Sequence, residues 1–152
     1  MFQAQSSAPL LALGSDDNSV SLLDRHGKAV CQPAIRCAET RATLACLAWH
    51  PRNQVLSAAW SSGAVRIAHV SHSGAPNEKA LSGTIQALPV LLAWSPTGSS
   101  LILGYETGGL RIWKQPSHTE DDPLAWAQVL LFNFSCMSTE VPQAHGAGST
   151  SR

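Results

Sequence analysis

Charged residues are scarce in this 152-residue chain, 13% of the total, and ten basic side chains are balanced by ten acidic ones. A surface of that kind has no field with which to gather phosphate backbones or anionic bilayers. No nucleic acid partner and no direct membrane insertion are therefore expected, and protein surfaces remain. Long apolar runs are missing too. The longest stretch free of polar residues, Ala87 to Trp94, is eight residues and contains Pro89, far below the roughly 20 that a spanning helix needs. Met1-Phe2-Gln3-Ala4-Gln5 lacks the basic start of a signal peptide, so the expectation is a cytoplasmic chain. The four cysteines, at 31, 37, 46 and 136, form no C-x-x-C pair and no paired spacing, which points to reduced thiols. Cys46, between Leu44 and Leu47, reads as a small core residue.

Motifs that carry chemistry are equally sparse. Gly27-Lys28-Ala29 has neither the glycine-rich loop nor the hydroxyl residue of a phosphate-binding loop. Asp16-Asp17-Asn18 opens like a calcium loop but lacks the later ligands and the terminal glutamate. His69-x-x-His72 offers two zinc ligands where three or four are required. Ser61, His50 and Asp24 are present, but no G-x-S-x-G elbow marks a nucleophile. The expectation is no catalytic residue, no cofactor and no metal.

What the chain does contain is a repeat. Trp49 matches Trp94, Pro51 matches Pro96, Leu56 matches Leu101, Trp60 matches Tyr105, and Gly63 matches Gly108, all at an offset of 45 without a gap. Val65, Arg66 and Ile67 match Leu110, Arg111 and Ile112 in the same register. A third copy lies upstream, where Leu11, Gly14, Asn18, Val20 and Leu22 stand 45 residues before Leu56, Ala59, Gly63, Val65 and Ile67. That period suits propeller blades or helical repeats. Residue choice favours strands: short apolar runs flank Ser61-Ser62-Gly63-Ala64 and Glu106-Thr107-Gly108-Gly109, as in hairpins. Glycine takes a positive φ without steric cost and asparagine is next best, which accounts for Asn18, Gly63 and Gly108 in one turn slot. No unit offers the ten or more residues of helical period that a helix would require.

The reading is therefore all-β: about three consecutive blades of a β-propeller of WD40 type, built of antiparallel hairpins. The ring is incomplete, since closure takes about four to eight blades. Residues 1–8 are expected to be a flexible start and 9–134 a partial propeller, with hairpins near 9–24, 44–70 and 89–114. Outer strands are expected around Ala29 to Gln32 and Leu124 to Trp126, an outer strand and crossover over Lys79 to Leu88, and a loop from Ser71 to Glu78. The fourth unit should show Trp-x-Pro near 139, but the chain there reads Ser135-Cys-Met-Ser-Thr139 and continues in small residues. Residues 135–152 are expected to be a disordered or divergent tail.

The structural repeat positions are thus Trp49, Pro51, Trp60, Gly63, Trp94, Pro96, Tyr105, Gly108 and Trp113. Trp49 and Trp94 each precede x-Pro at the exit of an innermost strand, where the indole can pack between blades. Each buried ring is worth roughly 2 to 3 kcal/mol by area. A peptide-binding face is the other reading of these tryptophans, less favoured because they recur at one repeat position. Arg66 and Arg111 are expected to be solvated strand residues.

Leu11-Ala-Leu-Gly-Ser-Asp-Asp-Asn-Ser-Val-Ser-Leu-Leu-Asp24 resembles a WD repeat, with Leu23-Asp24, Ala68-His69 and Trp113-Lys114 at the place of the Trp-Asp pair. None of the copies carries the family's Gly-His pair. More narrowly, Leu47-Ala-Trp-His-Pro51 with Val55 to Trp60, then Leu92-Ala-Trp-Ser-Pro-Thr-Gly98 with Leu110-Arg-Ile-Trp113, resembles the N-terminal propeller of the large core subunit family of intraflagellar transport complex A. The resemblance covers about residues 10 to 114. It implies a non-catalytic scaffold in retrograde ciliary transport and cilium assembly, a fragment or short isoform of such a subunit. It also implies partners among the other subunits of that complex, and a place at the cilium, basal body and axoneme. The competing class is a WD-repeat adaptor of another assembly, such as a ubiquitin ligase or cell-cycle complex. An enzyme with a catalytic group in the propeller mouth is the third.

Overall fold

The computed structural model describes residues 10–70, 76–81, 85–115 and 125–132, and every regular element among them is a strand. The first unit comprises β1 (Leu11–Gly14), β2 (Ser19–Leu23) and β3 (Ala29–Arg36). The second comprises β4 (Leu44–Trp49), β5 (Val55–Trp60), β6 (Val65–His69) and β7 (Asn77–Leu81). The third comprises β8 (Pro89–Trp94), β9 (Ser100–Tyr105), β10 (Leu110–Lys114) and β11 (Ala127–Phe132). Each unit is one antiparallel sheet in chain order, and the three sheets stand as consecutive blades in an open arc.

The hairpin strands run from Leu11 to Leu23, from Leu44 to His69 and from Pro89 to Lys114. Asn18 has φ 64, Gly63 φ 84 and Gly108 φ 82, so one left-handed slot turns all three hairpins. Asn18 is the single non-glycine residue with positive φ among the described residues. In the second turn, Gly63 N donates to Trp60 O at 2.8 Å and Trp60 N to Ala64 O at 2.9 Å. The third repeats this with Gly108 N to Tyr105 O at 3.0 Å and Tyr105 N to Gly109 O at 2.9 Å.

The outer strands depart from expectation. β3 continues past Gln32 to Arg36, with bulges where it pairs β2. β7 begins at Asn77, inside the stretch expected to be a loop, and ends at Leu81. Its first four residues are exposed, so it carries no apolar alternation by which a strand could be read. The third outer strand is Ala127–Phe132 and not Leu124 to Trp126. Lys79 lies opposite Ile67, whereas Leu130 lies opposite the equivalent Ile112. The offset is thus 51 instead of 45, because the connection into the last strand is five residues longer and a bulge between Ile112 and Trp113 adds one more. The expected flexible start, 1–8, and the expected tail, 135–152, lie outside the described residues.

Packing runs between blades. β5 is buried along its whole length, and its alternating side chains divide between two cores. Leu56, Ala58 and Trp60 join Ala12, Val20, Leu22 and Ile35 of the first blade. Val55 and Ala59 join Leu101, Leu103, Tyr105 and Trp113 of the third. A strand with period 2 points successive residues to opposite faces, so both faces of the central blade are covered.

Gly63 also meets a close neighbour, since a Cβ there would fall on the Ile85 carbonyl oxygen. Gly27, at φ 78, faces open space. Gly63→Ala is expected to cost about 3 kcal/mol or more, combining left-handed strain with a backbone clash. Gly27→Ala should cost only the strain, about 1 kcal/mol. Urea denaturation of the two variants measures the difference, and equal losses would contradict the clash.

Candidate functional site

The densest polar geometry lies on the seam between the second and third blades. Trp94, the last residue of β8, points its indole at the second blade. Its Nε1 donates to Ala48 O at 3.2 Å and to Ser57 Oγ at 3.1 Å. Ser57, fully buried, donates its own proton to Ala48 O at 2.8 Å. The ring lies edge-on to His50, centroids 4.8 Å apart, and to Trp126 at 5.0 Å.

His50 ties the same seam from the other side. Its Nδ1 accepts the backbone N–H groups of Arg52 at 3.0 Å and Asn53 at 2.9 Å. A nitrogen accepting two N–H bonds carries no proton, so Nε2 holds the hydrogen and donates it to Gly98 O at 3.0 Å. Gly98 has φ 78, and any Cβ there would collide with the imidazole. The turn after β8 therefore needs glycine twice, for its dihedral and for the ring above it. Burial holds the His50 pKa below the usual 6.5, the nearby Arg52 charge adding to this and the Gly98 bond opposing it.

On the seam between the first and second blades, Trp60 Nε1 donates to Asn18 O at 3.0 Å and Leu44 N donates to Asn18 Oδ1 at 3.3 Å. The hairpin tip of one blade thus holds the next. Trp49 is buried in the first core, while Trp113 and Tyr105 are buried in the second. Pro51 and Pro96 follow the inner strands in their turns, Pro96 exposed, and Gly108 is an exposed turn residue. The structure therefore brings Trp94 together with His50 and Trp126, and Trp49 together with Trp60.

The two repeat arginines differ. Arg66 pairs with Glu78 at 3.3 Å, its side chain 25% exposed. Arg111 is only 5% exposed, contrary to the solvated reading, because it lies beside Leu103 on the covered face of the third blade. Its Nε and Nη1, Tyr105 OH and Trp113 Nε1 are buried with no hydrogen-bond partner among the described residues. Gln128, opposite Trp113, occupies the place on the third outer strand that Glu78, opposite Ala68, holds on the second.

A hollow of about 440 Å³ opens where the hairpin tips meet the inter-blade connections, lined by Glu39, Ser61, Ser62, Gln86, Leu88 and Glu106. It contains no histidine or cysteine beside its serines. Among the described residues no three His, Cys, Asp or Glu side chains gather to hold a metal ion, and no helix is long and apolar enough to cross a membrane.

These blades and seams define a β-propeller of the WD-repeat class. The chain belongs to the IFT140 first beta-propeller family, whose model matches residues 3–131. It is 29% identical over 109 residues to U3 small nucleolar RNA-associated protein 18 of Saccharomyces cerevisiae, covering 68% of this chain and 18% of that protein. Among solved structures it resembles the beta-propeller domain of Myceliophteria thermophila Cps50 (Swd1), with TM-score 0.54 and 14% identity. It also resembles a putative 6-phosphogluconolactonase from Bacteroides uniformis, with TM-score 0.57 and 17% identity. The matches cover 83% and 87% of this chain and 41% of each of those chains. At such identities the likeness shows the fold alone.

Two outcomes test the seam. The folded state binds fewer protons than the unfolded chain wherever the His50 pKa is depressed, so its contribution is full above about pH 6.5. It is lost as pH falls from there through the lowered folded value. Unfolding free energy measured from pH 7.5 to 5 should fall, and the fall should be smaller in His50→Gln. Separately, Arg111→Met removes a buried cation with unpaired nitrogens and should stabilise the fold by about 1 kcal/mol or more; a lowered melting temperature would refute it.

Proposed function

We propose that this chain is a non-catalytic interaction scaffold of the intraflagellar transport complex A type, acting through other protein subunits in retrograde ciliary transport and cilium assembly. The carrying observation is the family match over residues 3–131, which spans the blades and both seams. The polar groups of the seam support a scaffold. His50, Ser57 and Trp94 spend their hydrogen bonds holding blades together. The balanced charge supports protein partners rather than nucleic acid or a bilayer surface. Protein scaffolding does not need a closed active site; it needs rigid faces in a fixed order, and sheets tethered edge to edge supply them.

The test is made in ciliated cells expressing the tagged chain. It should concentrate at the ciliary base and along the axoneme, and co-precipitate identified subunits of the complex. Gly98→Val, which drives a side chain into His50, should abolish both without preventing expression. Uniform cytoplasmic signal with no such subunit recovered would sink this reading and favour an adaptor of another assembly.

A further inference from the structure

We propose that the hollow at the hairpin tips of the second and third blades docks a basic segment of a partner polypeptide. One arginine or lysine of that segment lies across Leu88 and ends between Glu39 and Glu106. That the occupant is a polypeptide rests on the scaffold reading above. Four stretches of chain build the hollow: the connection from β3 to β4 gives Glu39, and the β5–β6 turn gives Ser61 and Ser62. The connection from β7 to β8 gives Gln86 and Leu88, and the β9–β10 turn gives Glu106. Backbone bonds fix these stretches against one another. Ser61 N donates to Thr43 O at 2.8 Å, and Ser61 Oγ accepts Thr43 N at 2.9 Å, which ties the second tip to the first connection. Glu106 N donates to Leu88 O at 3.0 Å, which ties the third tip to the second connection. The hollow is therefore preformed, and a preformed surface loses little freedom on binding.

What those bonds leave unused is of one chemical kind. Glu39 and Glu106 are exposed, and the two ion pairs among the described residues, Arg36–Asp17 and Arg66–Glu78, involve other groups. Charge balances over the whole chain but not at this end of the blades. The tips and connections here carry Asp16, Asp17, Glu39 and Glu106 against Arg41, and Asp17 is already matched by Arg36. A cleft edged with one sign of charge gathers the other. Leu88 adds a second feature, a large apolar side chain 39% exposed between the polar edges. Arginine and lysine lay their methylene stems along apolar surface and keep the charged head in polar surroundings, so one basic side chain satisfies both features. An acidic segment or a phosphate backbone would meet two unpaired carboxylates instead. The volume of about 440 Å³ leaves room for the peptide groups beside that side chain. Ser61 and Ser62 accept backbone N–H groups through their hydroxyl oxygens, which leaves their protons to donate to a partner carbonyl.

The test titrates the isotope-labelled full chain at low salt with the peptide acetyl-Gly-Leu-Arg-Lys-Leu-Gly-amide, followed by amide chemical shifts. Saturable shifts should concentrate on Ser61, Ser62, Gln86, Leu88 and Glu106. Glu39→Gln and Glu106→Gln should each weaken binding about threefold, and the double variant about tenfold. Both carboxylates are exposed and unpaired, so the melting temperature should be unchanged. The same peptide with citrulline for arginine and norleucine for lysine keeps the shape without the charge and should not bind. Absence of saturable binding overturns the proposal, as do shifts centred on other turns. Equal affinity for the uncharged peptide, or for the double variant, overturns it too. The measurement uses purified chain, so a negative result here leaves ciliary recovery of the tagged chain standing, and a failure in cells leaves these affinities standing.

Discussion

Each sheet in this protein has two apolar faces, and a neighbouring sheet is what takes them out of water. Local hydrogen bonding makes a hairpin, but a two-stranded hairpin is marginal by itself. The central blade succeeds because β5 sends Leu56, Ala58 and Trp60 one way and Val55 and Ala59 the other, each set into its own core. Stability in such an arrangement resembles that of a linear array, in which unit and seam terms add. The seams carry the specificity. Hydrophobic contact alone would let two sheets slide, whereas the indole of Trp94 has acceptors at one place only, Ala48 O and Ser57 Oγ. His50 adds a second fixed point by joining the turn after β4 to the turn after β8 through Gly98 O.

The hairpins were legible in the sequence because three signals coincide there: a period of 45, a left-handed slot and short apolar runs. The outer strands were not. β7 is Asn77–Leu81 and exposes four of its five residues, so burial leaves no mark on its composition. Apart from Leu81 in the second core and the Arg66–Glu78 ion pair, it is held by pairing with β6, and pairing is a backbone property. β11 escaped for a different reason. The register that predicts the hairpins assumes a constant connection, but the loop joining β10 to β11 is longer, and a fixed offset lands on Leu124 to Trp126, short of the strand. Loops tolerate length changes at small entropic cost, so periodicity is weakest across them.

The seam was legible by half. Trp94 could be placed between blades from its recurrence, yet its acceptors could not, since one is a backbone carbonyl and the other a serine without a motif. His50 and Gly98 carried a faint signal: the copies read Trp-His-Pro and Trp-Ser-Pro-Thr-Gly, and the histidine of one pairs with the glycine of the next. Departure between copies, rather than agreement, marked that contact. Arg111 shows the reverse hazard. It repeats Arg66, whose partner is Glu78, but on the third outer strand that place is held by the uncharged Gln128. Matching residues kept their register while their surroundings changed, and a solvated position became a buried one.

A repeat unit is selected to fit its neighbour, so every face records what it packs against. Ser57 is found where an indole must be received, and the same place in the third blade holds Ile102. The seam between the blades therefore describes, residue by residue, how one sheet of this propeller receives the next, and it is that fit which turns tethered sheets into a rigid platform.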